Sequence, residues 1–263
     1  MKIKFDKYQG TGNDFVLLDN RENDYNKITT EQVKKICDRH FGIGADGLML
    51  LNKKEDFDFE MIYYNADGNE GSMCGNGGRC IVQFASSLGI KKNDYYLFSA
   101  TDGTHKAEID LDKEVSLKMN NVSDVKFSLD YYVLNTGSPH YVKFVKDIEN
   151  LDVVTEGRKI RYSKEFAKEG INVNFVEVLD DDAIYVRTYE RGVEDETLSC
   201  GTGVTASALV AAHNEIGFNR VEVKTKGGNL SVEFERKGES KFENIWLCGP
   251  VNFVFSGEIE VKD

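Results

Sequence analysis

The segments Met73-Cys74-Gly75-Asn76-Gly77 and Ser199-Cys200-Gly201-Thr202-Gly203 decide the organisation of this chain. Each places one cysteine directly before a Gly-polar-Gly turn, and a run of small residues typical of a helix follows. The cysteines are 126 positions apart in a chain of 263 residues, so they occupy equivalent places in two halves. Two thiols in equivalent positions predict one active site with a proton carrier on each side, which is what inversion of a carbon stereocentre requires.

Three further pairs of segments repeat at nearly the same offset, which extends the similarity beyond the cysteines. They are residues 11–16 with 136–142, 57–68 with 183–192, and 99–103 with 224–228. Chance similarity between glycine-rich turns is the alternative, because glycine is common in the turns of proteins. Four pairs at almost one spacing favour a tandem duplication over chance.

Each half is predicted to consist of strands, a cysteine turn, one helix and further strands. Helices are predicted over residues 80–88, ending before Gly89, over 204–213, and over 30–39 with Thr29 or Thr30 as the N-cap. The second helix has small or apolar residues on nearly all sides, so we expect it to be buried. Strongly alternating strands around a buried helix predict an α+β half-barrel.

The composition excludes several classes of protein. A net charge of −12 disfavours a nucleic-acid surface, which needs a basic patch. No apolar run approaches the length of a membrane span, and residues 1–20 lack the apolar region of a signal peptide. Five cysteines without a C-x-x-C pair disfavour a disulfide framework. We therefore expect a soluble cytoplasmic protein that binds neither nucleic acid nor membrane.

The residue types around the cysteines suit acid–base chemistry at an amino-acid α-carbon. A helix N-terminus lowers the pKa of a thiol from about 8.5, and its free N–H groups can hold a carboxylate. Gly75 and Gly201 let the backbone approach that anion closely. One sulfur, as a thiolate, would remove the α-proton, and the other, as a thiol, would protonate the opposite face. This scheme requires neither a metal nor another cofactor.

Other roles for the cysteines receive less support. Cys37, Cys80 and Cys248 lie in apolar contexts, so we expect them to be small buried hydrophobic residues. The spacings of cysteine and histidine do not match a zinc site. A redox pair between Cys74 and Cys200 is conceivable, although it fits an oxidative lesion better than a function. The glycines after Cys74 lack the spacing of a nucleotide-binding loop.

Several longer motifs together resemble the diaminopimelate epimerase family, in the same order and over essentially the whole chain. They are Gly12-Asn13-Asp14-Phe15, Gly42-Ile43-Gly44-Ala45-Asp46-Gly47, Asn65-Ala66-Asp67-Gly68, Tyr189-Glu190-Arg191-Gly192 and the two cysteine segments. The resemblance implies two pseudo-symmetric domains, each an antiparallel β-barrel-like sheet around a central helix, with the active site in the cleft between them. We place the domains at residues 1–119 with 251–263, and at 120–250.

The resemblance also implies the reaction, a cofactor-independent interconversion of LL- and meso-2,6-diaminopimelate in lysine and peptidoglycan-precursor biosynthesis. It further implies a homodimer. A related two-thiol racemase for a smaller amino acid, such as a proline-type substrate, is the alternative enzyme. A non-catalytic binding protein with the duplicated fold and a thiol redox sensor are the alternatives from other classes.

Site residues follow from the resemblance position by position. Cys74 and Cys200 are implied as the catalytic acid–base pair, and His140 and Glu190 as residues that tune the pKa of the thiols. The implied substrate-binding residues are Asn13, Asn65, Gly75, Asn76, Asn172, Glu190, Arg191, Gly201 and Thr202, with Ser138 as an uncertain member.

The chain departs from the family pattern at three positions. Ser138 stands where the family commonly has asparagine, and Gly47 stands where some members have glutamine. Phe255 stands where some members carry an aromatic hydroxyl linked to dimer formation. We expect the first two to weaken or remove a substrate contact, and the third to alter the dimer contact.

Overall fold

Alternating apolar and polar residues mark the first strand, over residues 2–10, where Ile3 and Phe5 are buried and Lys2 and Lys4 are exposed. In this computed structural model, residues 1–71, 73–90, 95–212 and 216–261 are described. The chain divides into two compact units, unit 1 (Met1–Leu117 with Pro250–Asp263) and unit 2 (Lys118–Gly249). The predicted domain limits lie one to two residues from these, and their functional assignment stays a prediction.

The strands account for most of the regular structure in both units. In chain order they are β1 (Lys2–Gly10), β2 (Asn13–Asp19), β3 (Gly47–Asn52), β4 (Phe59–Asn65), β5 (Tyr96–Ala100), β6 (Gly103–Ile109), β7 (Val115–Lys118), β8 (Val125–Ser128), β9 (Tyr131–Asn135), β10 (Pro139–Phe144), β11 (Asn172–Asp180), β12 (Ala183–Glu190), β13 (Asp195–Thr197), β14 (Gly217–Thr225), β15 (Gly228–Arg236), β16 (Phe242–Gly249) and β17 (Asn252–Glu260). The α-helices are α1 (Thr30–Cys37), α2 (Gly75–Ser87), α3 (Val153–Arg161) and α4 (Gly201–Ala211).

The two units have the same strand order. In unit 1 the order is β17-β1-β2-β3-β4-β5-β6-β7, and in unit 2 it is β8-β9-β10-β11-β12-β14-β15-β16, with β13 added beside β12. Corresponding pairs also run in the same direction. For example, the second and third strands of each order form an antiparallel pair. These are β1 and β2 in unit 1, and β9 and β10 in unit 2. This agreement is what a tandem duplication predicts.

In each unit the strand pairing is mixed, with two parallel pairs among antiparallel neighbours. The parallel pairs are β2–β3 and β4–β5 in unit 1, and β10–β11 and β12–β14 in unit 2. Parallel neighbours need a long crossover, and each of these four crossovers contains one α-helix. The predicted α+β class is confirmed, while the strand pairing is more varied than the expected antiparallel sheet.

The helices α2 and α4 form the centres of their units. Helix α2 packs against β1, β2, β3 and β6, and α4 packs against seven strands of unit 2. The predicted burial of α4 is confirmed, because its residues from Gly203 to Leu209 are all buried. His213, the predicted end of this helix, lies outside the described residues.

The remaining helices differ from the predictions in instructive ways. Helix α1 ends at Cys37, and Thr29 is its N-cap, with a reciprocal bond between Thr29 and Gln32 that forms a capping box. Helix α3 was not predicted, although α1 lies near the same place in the first half, one repeat offset earlier. No helix within the described ranges has the length and apolarity that a membrane span requires.

Candidate active site

Cys74 and Cys200 are the N-cap residues of the two central helices. Both have extended backbone conformations, with φ −101° and ψ 137° at Cys74 and φ −117° and ψ 108° at Cys200. The carbonyl of each cysteine accepts the first helical bond, from Gly78 at 2.7 Å and from Val204 at 2.8 Å. The predicted Gly-polar-Gly turns are therefore the first turns of α2 and α4. Their N–H groups have no partner within the helix, which makes each helix start suitable for an anion.

In unit 1, Cys74 lies beside an amide pair. Its Sγ is 3.6 Å from Asn13 Oδ1, and Asn76 Nδ2 is 3.5 Å from the same oxygen. The Asn13 amide is held from its other end, because Nδ2 donates to Asp46 Oδ2 at 2.5 Å. Asn76 is fully buried, and its Oδ1 accepts from Arg79 Nη2 at 3.1 Å.

A charged network fixes Asp46 and thereby Asn13. Arg39 bonds to both carboxylate oxygens of Asp14 and to Asp46 Oδ1 at 2.8 Å. Lys7 pairs with Asp14 at 2.8 Å. Burial alone would raise the pKa of Asp14, but the bonds from Arg39 and Lys7 outweigh it and lower the pKa to about 2. Asp14 is therefore charged at neutral pH.

In unit 2, Cys200 lies beside hydroxyl groups. Its Sγ is 3.5 Å from Thr202 Oγ1, which is 3.2 Å from Ser138 Oγ. The helix start is also held by Thr136, whose hydroxyl donates to the carbonyl of Thr202 at 2.8 Å. Cys200 itself is 7% exposed.

His140 is fully buried behind Ser138. Its Nε2 is 2.9 Å from Ser138 Oγ, and its Nδ1 is 3.0 Å from Asn174 Nδ2. Burial, and next the charge of Arg191, lower the pKa of His140 to about 3. The imidazole is therefore neutral throughout the pH range in which thiols ionise. Gly203 makes this packing possible, because a Cβ there would lie 2.2 Å from Asn174 Oδ1.

Asn172 connects this group to the segment that carries Arg191. Its Nδ2 donates to Ser138 Oγ at 3.0 Å and to the carbonyl of Pro139 at 3.3 Å, while its Oδ1 accepts from the backbone N–H of Arg191 at 2.9 Å. The Arg191 guanidinium donates to the carbonyl of Glu169. Glu190 ends β12 and is half-buried, next to Arg191.

In unit 1, Asn65 is the exposed last residue of β4, as Glu190 is the last residue of β12 in unit 2. The structure thus brings Asn13, Asn76 and Cys74 together in unit 1. In unit 2 it groups the predicted residues Ser138, His140, Asn172, Cys200 and Thr202, with Arg191 bonded to Asn172 through its backbone.

The Gly47 departure has a steric cause. A Cβ at Gly47 would lie 2.5 Å from Tyr63 Cε2 and 2.6 Å from the carbonyl oxygen of Tyr64. The Tyr63 ring therefore fills the space that a longer side chain at position 47 would need. Gly47 pairs with Phe15 in the sheet, as Asn172 pairs with His140, so Gly47 and Asn172 are equivalent positions of the repeat.

Asp46 and Asn174 also belong to these groups, although neither is among the predicted site residues. Asp46 belongs to the quoted Gly-Ala-Asp-Gly motif, so the motif itself was a usable signal. Asn174 is a fully buried polar residue between the apolar Val173 and Phe175, and such a residue needs buried partners. It finds them in His140 and in the hydroxyl of Thr188, which donates to Asn174 Oδ1 at 2.9 Å.

The other three cysteines are confirmed as buried side chains, since Cys37, Cys80 and Cys248 are at most 3% exposed. Burial raises the pKa of both Cys37 and Cys80 to about 12, so these thiols stay protonated. In the part of the chain that the structure describes, no three His, Cys, Asp or Glu side chains converge as metal ligands would.

Comparisons with known proteins identify relatives of the whole chain. The sequence model of the diaminopimelate epimerase family matches residues 5–125 and 132–254, once for each half. The diaminopimelate epimerase of Flavobacterium psychrophilum is 50% identical over 258 residues, covering 98% of this chain and 100% of that protein. The diaminopimelate epimerase of Chlorobaculum tepidum is 45% identical, covering 95% and 98%.

Solved structures share the fold at low sequence identity. A phenazine biosynthesis protein of the PhzF family from Bacillus anthracis has a TM-score of 0.77 at 14% identity, over 99% of this chain and 100% of that one. A hydroxyproline epimerase from Agrobacterium vitis, with bound trans-4-hydroxy-L-proline, has a TM-score of 0.70 at 14% identity, over 100% and 93%. At this identity the likeness concerns the fold.

Proposed function

Because the chain belongs to the diaminopimelate epimerase family, we propose that it is an isomerase that interconverts LL- and meso-2,6-diaminopimelate without a cofactor. One structural observation carries the proposal. Each repeat places a cysteine at the N-cap of its central helix, before a first turn whose N–H groups have no partner within the helix and suit a carboxylate. In this proposal the two thiols serve one α-carbon, and the two helix ends serve its carboxylate.

In this mechanism Cys74 and Cys200 act on opposite faces of the α-carbon. One thiolate removes the α-proton, and the other thiol protonates the resulting carbanion from the far side. The helix N-termini stabilise the charge that develops on the carboxylate. His140 and Glu190 tune the thiols, and for His140 this action goes through Ser138 because the imidazole is neutral.

The substrate is held by two groups of residues in this proposal. Gly75, Asn76, Gly201 and Thr202 bind the carboxylate at the reacting carbon. Asn13, Asn65, Asn172, Glu190 and Arg191 bind the distal amino-acid group. A guanidinium can hold a carboxylate through two parallel bonds, and the Glu190 carboxylate and the amide oxygens can accept from an ammonium.

The test is incubation of the reduced protein with LL-diaminopimelate in D₂O, followed by NMR. We expect meso product and deuterium at the α-carbon. L-proline and trans-4-hydroxy-L-proline serve as comparison substrates, because a proline-type racemase would exchange their α-protons instead. Binding of diaminopimelate without exchange would support a non-catalytic binding protein. Absence of both exchange and binding in the freshly reduced protein contradicts the proposal.

We also propose that the enzyme works in the cytoplasm, in lysine and peptidoglycan-precursor biosynthesis, as a homodimer. The dimer is supported by exposed apolar side chains on β17, where Phe253, Val254 and Phe255 are 43–54% exposed. Phe255 keeps an edge contact with Phe5, with ring centroids 5.7 Å apart. Sedimentation at several concentrations should give twice the 29.7 kDa chain mass, and Phe253→Asp should give the monomer.

A further inference from the structure

The hydrogen bonds around Ser138 have a fixed direction, which begins at Asn174. Asn174 Nδ2 lies 3.0 Å from the carbonyl of Tyr141, which can only accept, so this atom is the amide nitrogen. The same nitrogen therefore donates to His140 Nδ1. A neutral imidazole with an accepting Nδ1 carries its proton on Nε2, so Nε2 donates to Ser138 Oγ.

Asn172 supplies the second bond that Ser138 accepts. Its amide orientation is also fixed, because Nδ2 donates to the Pro139 carbonyl and Oδ1 accepts from the backbone N–H of Arg191. Ser138 Oγ thus accepts from both His140 and Asn172. A hydroxyl has two acceptor positions and one proton, so Ser138 uses that proton in its remaining bond, to Thr202 Oγ1 at 3.2 Å.

Thr202 then directs its own proton to Cys200. Among the described residues its hydroxyl has two polar side-chain neighbours, Ser138 Oγ and Cys200 Sγ. Ser138 is the donor in the first contact, so the Thr202 proton is available for the sulfur 3.5 Å away. A donor aimed at a sulfur favours the thiolate form over the thiol.

Cys74 lies beside a hydrogen-bond acceptor rather than a donor. Asn13 Nδ2 is committed to the Asp46 carboxylate, so Asn13 Oδ1 faces the sulfur at 3.6 Å. A carbonyl oxygen can only accept, and therefore the bond forms when Cys74 is a thiol. Because Asn76 Oδ1 accepts from Arg79, its Nδ2 donates to the same Asn13 oxygen and keeps it in place.

We infer that Ser138 is a positioning residue that orients the Thr202 hydroxyl toward Cys200, so that Cys200 is the thiolate of the free enzyme and Cys74 is the thiol. This inference deepens the proposed function and rests on it only for its catalytic consequence. The serine that departs from the family pattern becomes a link between a buried histidine and a catalytic sulfur, rather than a substrate contact.

Charged and titratable groups lie in or next to the hydrogen-bond networks that reach each sulfur. In unit 2 they are His140, Arg191 and the adjacent Glu190, and the charge of Arg191 helps to keep His140 neutral. In unit 1 they are Asp14, Asp46, Lys7, Arg39 and the fully buried Arg79. The positive charge of Arg79 favours a thiolate at Cys74 and therefore opposes the inferred assignment. The Asn13 carbonyl has the opposite effect, because it disfavours a thiolate there.

The assignment defines the proton path in one turnover that starts from the resting pair. The Cys200 thiolate takes the α-proton, and the electron pair of the broken C–H bond stays on the α-carbon. The Cys74 thiol gives its proton to the opposite face of that carbanion and becomes the thiolate. Solvent then protonates Cys74 and accepts the proton from Cys200, which restores the resting pair.

The test measures thiolate formation in the free enzyme, without substrate. The far-ultraviolet absorbance of the thiolate is followed between about pH 5 and 9, a range below the ionisation of ordinary tyrosines. Cys74→Ala reports Cys200, Cys200→Ala reports Cys74, and the double variant provides the blank. We expect Cys200 to ionise at the lower pH, and Ser138→Ala and Thr202→Val each to raise its midpoint by about one pH unit.

Matched variants separate positioning from a general loss of structure. Thr202→Ser keeps the hydroxyl and should restore the low midpoint of Cys200. Thr136→Val removes a buried hydroxyl that bonds to the start of the same helix. Because this hydroxyl is not part of the series of hydrogen bonds that leads to Cys200 Sγ, the midpoint should stay unchanged. The midpoint of Cys74 should not respond to Ser138→Ala.

Equal midpoints for the two cysteines, or a Cys200 midpoint that does not respond to Thr202→Val, would overturn the inference. Either result leaves the proposed function intact, because α-proton exchange is measured separately. Conversely, an enzyme that fails to exchange the α-proton of diaminopimelate while showing the predicted order of ionisation would contradict the function and not the thiol assignment.

Discussion

The two helix starts have the same backbone and different side-chain chemistry. In unit 1 the sulfur of Cys74 meets the amide carbonyl of Asn13, whereas in unit 2 the sulfur of Cys200 meets the hydroxyl of Thr202. Asn13 and Ser138 are equivalent positions of the repeat, and so are Asn76 and Thr202. The duplication therefore supplies two copies of one position for a thiol, and substitutions around it give each copy its own hydrogen-bond partner.

A hydroxyl and an amide carbonyl differ in one respect that matters here. A hydroxyl can donate to a sulfur, but a carbonyl oxygen cannot. Two-base chemistry needs one thiol and one thiolate at the same moment, and a perfectly symmetric site would leave their distribution undetermined. On the inferred assignment, a few side chains at the helix starts specify which cysteine is the thiolate and which is the thiol.

The largest expected effect follows from removing either sulfur. Cys74→Ala and Cys200→Ala each delete one of the two proton carriers, so we expect epimerisation to fall by roughly 10²–10⁴-fold. The rate of formation of the meso isomer from the LL isomer, followed by NMR, measures this loss. The matched control is Cys248→Ala, which removes a buried thiol distant in sequence from both helix starts and should keep the activity.

Near-full activity in either single variant would show that one thiol suffices, and the comparison between the two sulfurs would then lose its catalytic meaning. Equal losses in both variants support the two-base scheme. The pH–rate profile of the wild type tests the two-base scheme further. It should be bell-shaped, because one thiol must be ionised and the other protonated.

The second effect concerns Gly77 and Gly203, each of which lies three residues after the cysteine that begins its helix. A Cβ at Gly203 would lie 2.2 Å from Asn174 Oδ1, and the Thr188 hydroxyl holds that oxygen in place. A Cβ at Gly77 would lie 2.4 Å from Met49 Cε, the flexible end of a side chain. We expect Gly203→Ala to lower the free energy of unfolding by about 2 kcal/mol.

Gly77→Ala should change the free energy of unfolding by no more than about 0.5 kcal/mol, because the helix propensity of alanine offsets the displacement of Met49. Urea denaturation of both variants measures the difference. Gly203→Ala should also raise the ionisation midpoint of Cys200, since it displaces the amide that orients His140. Equal destabilisation by the two substitutions would show that the packing behind the helix starts is as adaptable in unit 2 as in unit 1.

Much of the fold could be predicted from the repeated segments. Glycine turns at one offset showed the duplication, and alternating strands around a small-residue helix gave the α+β class. Helix α3 is not apparent from the sequence because its segment contains four β-branched residues and a glycine, which are poor helix formers. Its tertiary role as a crossover between parallel strands, the role that α1 has in unit 1, explains why it forms.

The site was predictable to the extent that motifs mark it. The cysteines and their glycines follow from local sequence, but the buried group of His140 and Asn174 joins residues 34 positions apart, so only the folded sheet brings them together. The consequence of Gly47 was equally hidden. The sequence shows a missing side chain, whereas the structure shows that the Tyr63 ring occupies the space.

The smallest expected effect is a loss of stability in acid that comes from His140. It belongs to unit 2 alone, because the equivalent position of unit 1 is Phe15. The pKa of an unfolded histidine is about 6.5, and burial lowers that of His140 to about 3. Between these values the unfolded chain binds a proton that the folded chain does not, so the free energy of unfolding falls as the pH drops below about 6.5. At pH 5.5 the loss is about 1.4 kcal/mol.

His140→Gln should remove this loss, because glutamine does not titrate and its amide can still donate to Ser138 and accept from Asn174. Urea denaturation at neutral pH and at about pH 5.5 gives the difference for each protein. The matched control is His40→Gln at an exposed position, which should lose as much stability in acid as the wild type does. An equal loss in His140→Gln would mean that His140 binds a proton in the folded state. The imidazole would then donate from both nitrogens, Asn174 could no longer donate to it, and the direction of the bonds toward Cys200 would have to be assigned anew.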